Sequence, residues 1–224
     1  MAILQILSEV FLISMDITTL ELGAYRANCY IIYNSETKRA IVIDPGDESH
    51  LIINKCDELQ LVPEVILLTH GHFDHMMGAK SLADSLGIQI YAGLFEKEIL
   101  ADPSLNCAET YDYDVKLTEA KWLNDNDKLE VAGFNIKVIA TPGHTIGCLS
   151  YYFEEENVLF TGDTIFKGTY GTTTLPTGHL PTLIDSIRLK IFTLPGHTCV
   201  YPGHGLPTTI SVEIQENMIT KAWA

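Results

Sequence analysis

His70-Gly71-His72-Phe73-Asp74-His75 puts three imidazoles and a carboxylate into six positions, directly after the apolar run Val65-Ile66-Leu67-Leu68-Thr69. Imidazole and carboxylate are the ligands that a borderline divalent cation such as zinc takes at neutral pH, and a water kept beside such a cation becomes a nucleophile. The segment therefore points to metal-assisted chemistry. His70 and His72 stand two residues apart, which is about 200° on a helix, whereas on an extended turn both can reach one ion. Asp74 and His75 fall where a helix should begin, because Met76 to Leu86 is rich in helix formers and ends before Gly87. They can address a second ion beside the first. An Asp at a helix start also serves as an N-cap, so two readings of Asp74 stand. Three histidines in six residues, by contrast, have no capping purpose.

Four further ligand types sit just after strand-like runs. His144 lies in Thr141-Pro142-Gly143-His144-Thr145, Asp163 in Thr161-Gly162-Asp163-Thr164, His204 in Pro202-Gly203-His204-Gly205, and Asp44 in Asp44-Pro45-Gly46. Each alone is explained by turn chemistry, since Pro-Gly and Gly-Asp are turn formers. Their joint position argues otherwise. If the strands bring their carboxyl ends to one rim, that rim collects His70, His72, Asp74, His75, His144, Asp163 and His204, a set that suits two ions bridged by one carboxylate. Pro-Gly-His recurs at Pro195-Gly196-His197, but His197 precedes the short strand Cys199 to Tyr201 whereas His204 follows it. About seven partly extended residues separate the two by roughly 15 to 20 Å, so only one joins the site, and His197 belongs to a surface loop. His50 reads as a solvated residue at a helix start. Lys167, Tyr170 and His179, in the Gly- and Thr-rich stretch after Asp163, are candidates for bordering a substrate cleft, against the reading of a plain surface loop.

The elements that must position these residues can be read from hydrophobic pattern. Strand-like runs cover Phe11 to Leu22, Cys29 to Tyr33, Ala40 to Asp44, Val65 to Thr69 and Gln89 to Tyr91, and then Lys128 to Val131, Phe134 to Ala140, Leu149 to Phe153 and Val158 to Thr161. Pro181 to Phe192 is a helix candidate with proline in its first turn. Strands followed by helix, twice over, predict an α/β protein of two similar halves, a four-layer α/β/β/α sandwich. No linker interrupts the chain, so residues 1–224 read as one domain.

Composition narrows the function classes. The formal net charge is −15 with only 14 Lys and Arg, scattered singly, which excludes a phosphate-backbone partner over most of the surface. Two divalent ions would reduce that charge to about −11. No run of 18 uncharged apolar residues exists to span a bilayer, and the apolar stretch Met1 to Met15 carries Glu9 and lacks the basic start of a secretory signal. It reads as an edge strand or arm. Five dispersed cysteines look like reduced thiols, which places the protein in the cytoplasm.

Taken together, the HxHxDH run, Thr-Pro-Gly-His-Thr, Gly-Asp-Thr and the late Pro-Gly-His-Gly resemble the metallo-β-lactamase-fold hydrolases, and within them the glyoxalase II-like (hydroxyacylglutathione hydrolase-like) branch. Asn28-Cys29-Tyr30 and Asp44-Pro45-Gly46 extend the resemblance over nearly the whole chain. The resemblance implies a first metal site on His70, His72 and His144, a second on Asp74, His75 and His204, Asp163 as the bridge and Asp44 as outer support. It implies two divalent ions, zinc foremost with iron or manganese as alternatives, and a small thioester or ester substrate attacked by a metal-bridging hydroxide that Asp74 orients. Two departures stand out. Gly171-Thr172-Thr173-Thr174 replaces the branch's usual Gly-Arg-Thr-Asp, and only about 20 residues follow His204, where glyoxalase II carries a glutathione-holding helical domain. The rival activities of this fold are a lactonase and a mononuclear iron persulfide dioxygenase with a face of His70, His144 and Asp163. Thr172, where that oxygenase branch uses arginine, weighs against the second.

Overall fold

The computed structural model describes residues 14–221. Among these, six strands form a first sheet in the order β1-β2-β3-β4-β5-β6: β1 Met15–Leu22, β2 Ala27–Asn34, β3 Arg39–Ile43, β4 Val62–Leu67, β5 Gln89–Gly93 and β6 Lys121–Leu123. The second sheet, β7 Lys128–Val131, β8 Phe134–Ala140, β9 Leu149–Phe153, β10 Val158–Gly162, β13 Cys199–Pro202 and β14 Thr208–Thr209, runs in the order β14-β13-β10-β9-β8-β7. A small hairpin, β11 Ile165–Phe166 with β12 Thr169–Tyr170, follows β10. The helices are α1 Ser49–Leu59, α2 Phe73–Met76, α3 Ala79–Leu86, α4 Lys97–Ala101, α5 Leu180–Leu189, α6 Ile210–Glu216 and α7 Met218–Lys221. None is long and apolar enough to cross a membrane.

Alternation along the strands creates the layers, because successive side chains face opposite sides of a sheet. On β3, Ala40 and Val42 join Ile52 and Cys56 of α1 and Leu82 of α3 in an outer apolar layer. Ile41 and Ile43 face the other way and meet Phe134, Val138, Tyr151 and Phe160 of the second sheet. Beyond that sheet, Leu159 and Val200 pack on Leu183 and Ile187 of α5 and Ile210 of α6. Three apolar layers between four structural ones make the α/β/β/α sandwich that the pattern implies.

The two sheets are also stitched by hydrogen bonds at one end. Leu149 N donates to Thr69 O at 2.8 Å, and Asn28 N donates to Gly203 O at 2.7 Å. The Tyr151 hydroxyl donates to Leu68 O at 2.7 Å and the Tyr30 hydroxyl to Pro202 O at 2.6 Å. These bonds lie just past the carboxyl ends of β4 and β13, where the candidate ligands begin. β3 and β4 run parallel, as do β10 and β13, so Asp44, His70, Asp163 and His204 leave the sheets at the same rim.

Two sequence expectations change in detail. The helix expected to begin at Asp74 and His75 and run to Leu86 starts at Phe73 and is broken between α2 and α3, where Gly78 N donates to Pro45 O at 2.9 Å and the Asp44-Pro45-Gly46 turn packs against it. The strand expected from Phe11 begins at Met15, and residues 11–13, with the rest of the N-terminal arm, lie outside the described residues. The strands β6, β11, β12 and β14 have only two or three residues each and give no readable alternation.

Phe153 is fully buried between the sheets, with its ring centroid 5.7 Å from that of Phe134 and 5.6 Å from that of Phe160. Phe153→Ala should lower stability by about 3–5 kcal/mol in urea unfolding, with the midpoint moving and the slope unchanged.

Candidate metal centre

Proton bookkeeping at the rim fixes which nitrogens are free. Asp44 accepts from Thr69 N at 2.7 Å and from Thr69 Oγ1 at 2.6 Å. With its proton spent there, the Thr69 hydroxyl can only accept from His70 Nδ1, 3.0 Å away. His70 therefore carries its lone pair on Nε2, a buried atom with no hydrogen-bond partner. His75 Nδ1 donates to Asp44 Oδ2 at 3.0 Å, which turns its Nε2 toward the rim, 3.4 Å from Asp163 Oδ1 and 3.2 Å from His204 Nε2. His144 Nδ1 donates to Thr172 O at 2.7 Å, and its bare Nε2 faces His72 Nδ1 at 2.9 Å. Two such nitrogens share either one proton or one cation.

Among the described residues, three sets of ligand atoms lie close enough to hold an ion: His70, His72 and His144; Asp74, His75 and His204; and Asp44, His70 and His75. Asp44 in the third set is already engaged with the Thr69 and His75 donors, so it orients imidazoles, the outer role that metal-ligating histidines require. Asp163 lies between the other two sets. Its Oδ2 is 3.6 Å from both His144 Nε2 and His204 Nε2, while its Oδ1 is buried with no hydrogen-bond partner among the described residues. The Asp74 Oδ2 atom is 3.4 Å from His204 Nε2. Asp74 does not cap its helix: the N-cap is His72, and no side-chain cap bond forms.

Electrostatics point the same way. Burial, then the surrounding imidazoles, holds His70 well below the ordinary histidine value, and His72 is pushed down to about 3. Both are neutral with lone pairs available. Burial also disfavours charge on His75, yet Asp163, Asp74 and Asp44 outweigh it and lift that imidazole to about 10. Carboxylates packed this way demand positive charge from whatever can supply it. Buried His70 Nε2 and Asp163 Oδ1, with no hydrogen-bond partner among the described residues, and His72 Nδ1 facing His144 Nε2 at 2.9 Å fit a divalent cation in kind and in place.

Backbone crowding holds the set. A Cβ on Gly203 would stand 2.1 Å from Asp163 Oδ1, and one on Gly171 would stand 1.9 Å from Asp163 O and 3.1 Å from His144 Nδ1. Only glycine lets these loops close on the ligands.

Sequence reasoning missed Glu96, which no motif marks. It is fully buried after β5 and accepts from Gly71 N at 2.6 Å, Gly147 N at 2.9 Å and Thr145 Oγ1. One carboxylate thus ties the loop bearing His70 and His72 to the loop bearing His144. Burial pushes its carboxyl up to about 7 against the pull of those donors. Thr69 and the Thr172 carbonyl were likewise invisible to ligand-type reasoning, since a hydroxyl and a backbone oxygen carry no metal signature.

Of the remaining sequence candidates, His197 bonds Asn157 Oδ1 at 2.9 Å on the surface, away from the ligands, and His50 is exposed on α1. Lys167 is exposed in the turn of the β11–β12 hairpin, Tyr170 packs against the α5 layer, and His179 is the N-cap residue of α5 with Nδ1 2.7 Å from Thr182 Oγ1. No hydrogen bond or ion pair among the described residues joins these three to the ligand set. The residue of that stretch that does reach it is Thr172, through its carbonyl.

The model of the metallo-β-lactamase superfamily matches residues 22–204. The chain belongs to that superfamily. Its class is that of a metal-dependent hydrolase. Among curated relatives it is 36% identical over 207 residues to the hydroxyacylglutathione hydrolase GloC of Haemophilus influenzae, covering 91% of this chain and 97% of the relative. Among solved structures, the BLEG-1 B3 metallo-β-lactamase superposes with a TM-score of 0.87 at 35% identity, covering 92% of this chain and 99% of that one. TTHA1623 in a di-iron-bound form superposes with a TM-score of 0.81 at 29% identity, covering 89% and 98%.

Glu96→Ala leaves two buried N–H groups without an acceptor and unties the two ligand loops. It should weaken divalent-metal affinity by about 10- to 100-fold in competition with a chromogenic chelator. Glu96→Gln, which keeps one acceptor oxygen, should fall between the two.

Proposed function

We propose that the protein is a dinuclear metallo-hydrolase of a small thioester or ester. In this reading His70, His72 and His144 hold one divalent ion, Asp74, His75 and His204 hold the other, and Asp163 bridges them. The observation that carries it is the convergence of bare imidazole nitrogens and carboxylate oxygens in two adjoining sets with Asp163 between. Zinc is the foremost occupant by donor chemistry, and iron is kept open by a similar protein seen with two irons.

Divalent cations, when bound there, would polarise an acyl carbonyl and bring the pKa of water from about 15.7 down to about 7. The protein's own part is placement. His70, His72, His75 and His144 are buried, whereas the side chains of Asp74 and His204 are 19% and 28% exposed, so substrate and water arrive on the Asp74–His204 side. Asp74 can accept a hydrogen bond from the attacking water and aim its oxygen at the acyl carbon. The new C–O bond forms as the C–S or C–O bond to the leaving group breaks, giving a carboxylic acid and a thiol or alcohol. Because Asp44, Thr69 and the Thr172 carbonyl lock the rings beforehand, little reorganisation accompanies the reaction.

The thioester preference is supported by the name of the Haemophilus relative. A cytoplasmic setting is supported by five free cysteines, four of them buried. The substrate is proposed to be a small molecule, with nucleic acid disfavoured by the net charge of −15.

Metal analysis of the purified protein, paired with assays on a thioester, a lactone and glutathione persulfide under oxygen, tests the proposal. About two divalent ions per chain and thioester turnover that chelation removes and zinc restores are the expected result. His72→Ala and Asp163→Asn should each lower kcat by more than about 100-fold while circular dichroism stays native. One iron per chain with oxygen uptake would overturn the reading.

A further inference from the structure

Asp74 is one of the partly exposed residues of the candidate centre, and aromatic rings stand beside it. Phe73, buried, directly precedes Asp74 in α2. Around it stand Tyr25 from the β1–β2 turn, Tyr111 and Tyr113, with ring centroids 5.2, 5.3 and 5.6 Å from that of Phe73. Tyr25 and Tyr111 are 4.9 Å apart edge to face. A crevice lined by Tyr25, Asp47, Phe73, Asp74, Met77 and Tyr113 makes the patch continuous with the ligand Asp74. Yet the three tyrosines are 39%, 46% and 41% exposed, so their outer surfaces are not spent on the core. Desolvation, then Tyr111, Tyr113 and the nearby Asp74, pushes the Tyr25 hydroxyl up to about 12, which keeps it neutral.

Charge around the patch is one-sided. Asp47 lines the crevice, Glu48 accepts from Gly23 N in the β1–β2 turn at 3.2 Å, and Glu109 and Asp112 flank Tyr111. The neighbouring cations are engaged: Arg26 with Glu21 at 2.8 Å through Nε, and Lys116 with Asp114 at 2.8 Å. An anionic substrate group would meet acidic side chains here, with Arg26 and Lys116 already paired to carboxylates of their own.

We propose that Tyr25, Tyr111 and Tyr113 form a subsite for an uncharged apolar acyl group, aryl or arylalkyl, next to the scissile bond. Ring faces offer such a group stacking and apolar burial at low cost in side-chain order. The subsite rests on the hydrolase reading, since it takes the scissile carbonyl to lie by Asp74.

The experiment compares acetyl, phenylacetyl and succinyl thioesters of N-acetylcysteamine on the metal-loaded protein. The phenylacetyl ester should exceed the acetyl ester in kcat/KM by about tenfold or more, and the succinyl ester should be the poorest. In Tyr25→Ala and Tyr111→Ala the phenylacetyl-to-acetyl ratio should collapse toward one. A succinyl ester as good as the phenylacetyl one, or a ratio untouched in both variants, would overturn the subsite. Ligand-observed NMR with phenylacetamide and acetamide separates this from failure of the hydrolase reading. If no ester or thioester is cleaved, that reading falls. Phenylacetamide saturation by the wild type that is lost in Tyr25→Ala still upholds the subsite, and equal signals from wild type and variant refute it.

Discussion

Carboxylates crowded together and largely withdrawn from water are unstable unless positive charge comes with them, and this fold gathers Asp44, Asp74 and Asp163 in such surroundings. Asp44 is relieved by two hydrogen bonds from Thr69 and one from His75. Asp74 and Asp163 have no comparable donors from the backbone; they face imidazole nitrogens instead. The demand for a cation is thus built in by leaving two carboxylates short of protons. Everything else at the rim keeps them in that state.

The layers serve that end. Parallel pairing of β3 with β4 and of β10 with β13 delivers four loops to one edge, and bonds from Leu149, Tyr151, Asn28 and Tyr30 lock the edges of the two sheets together there. A slip between the sheets would pull His70 away from His144, so packing in the middle layer and ligand spacing are one constraint. Glu96 adds a local tie across the same seam. Its burial is tolerable because donors from both loops converge on it.

Much of this was legible in the sequence, for identifiable reasons. β7 to β9 have the expected bounds, since short turns bracket runs of strand-forming residues, and β10 runs one residue further. The residues that converge at the rim were legible because imidazoles and carboxylates just after strands are chemically conspicuous, and the place of His197 followed from counting chain length across one short strand. What stayed hidden is held by groups without a signature. Glu96 lies in an unremarkable Phe-Glu-Lys-Glu stretch, and its role exists only once Gly71 and Gly147 are brought against it. The break at Gly78 depends on a distant turn reaching the helix, and the tyrosines of the rim are 86 or more residues apart on either side of the patch, as from Tyr25 to Tyr111.

The segment Gly171 to Thr174 sits where the chain departs most from the pattern it resembles, yet it is pressed against the metal centre. Gly171 has no room for a side chain beside Asp163, and residue 172 steadies His144 through a carbonyl. A carbonyl is common to all twenty residues. The side chains at 172 to 174, by contrast, point to solvent or are half-exposed. The support of His144 is thereby written in backbone along this loop, so the side chains at 172 to 174 can be exchanged without erasing it.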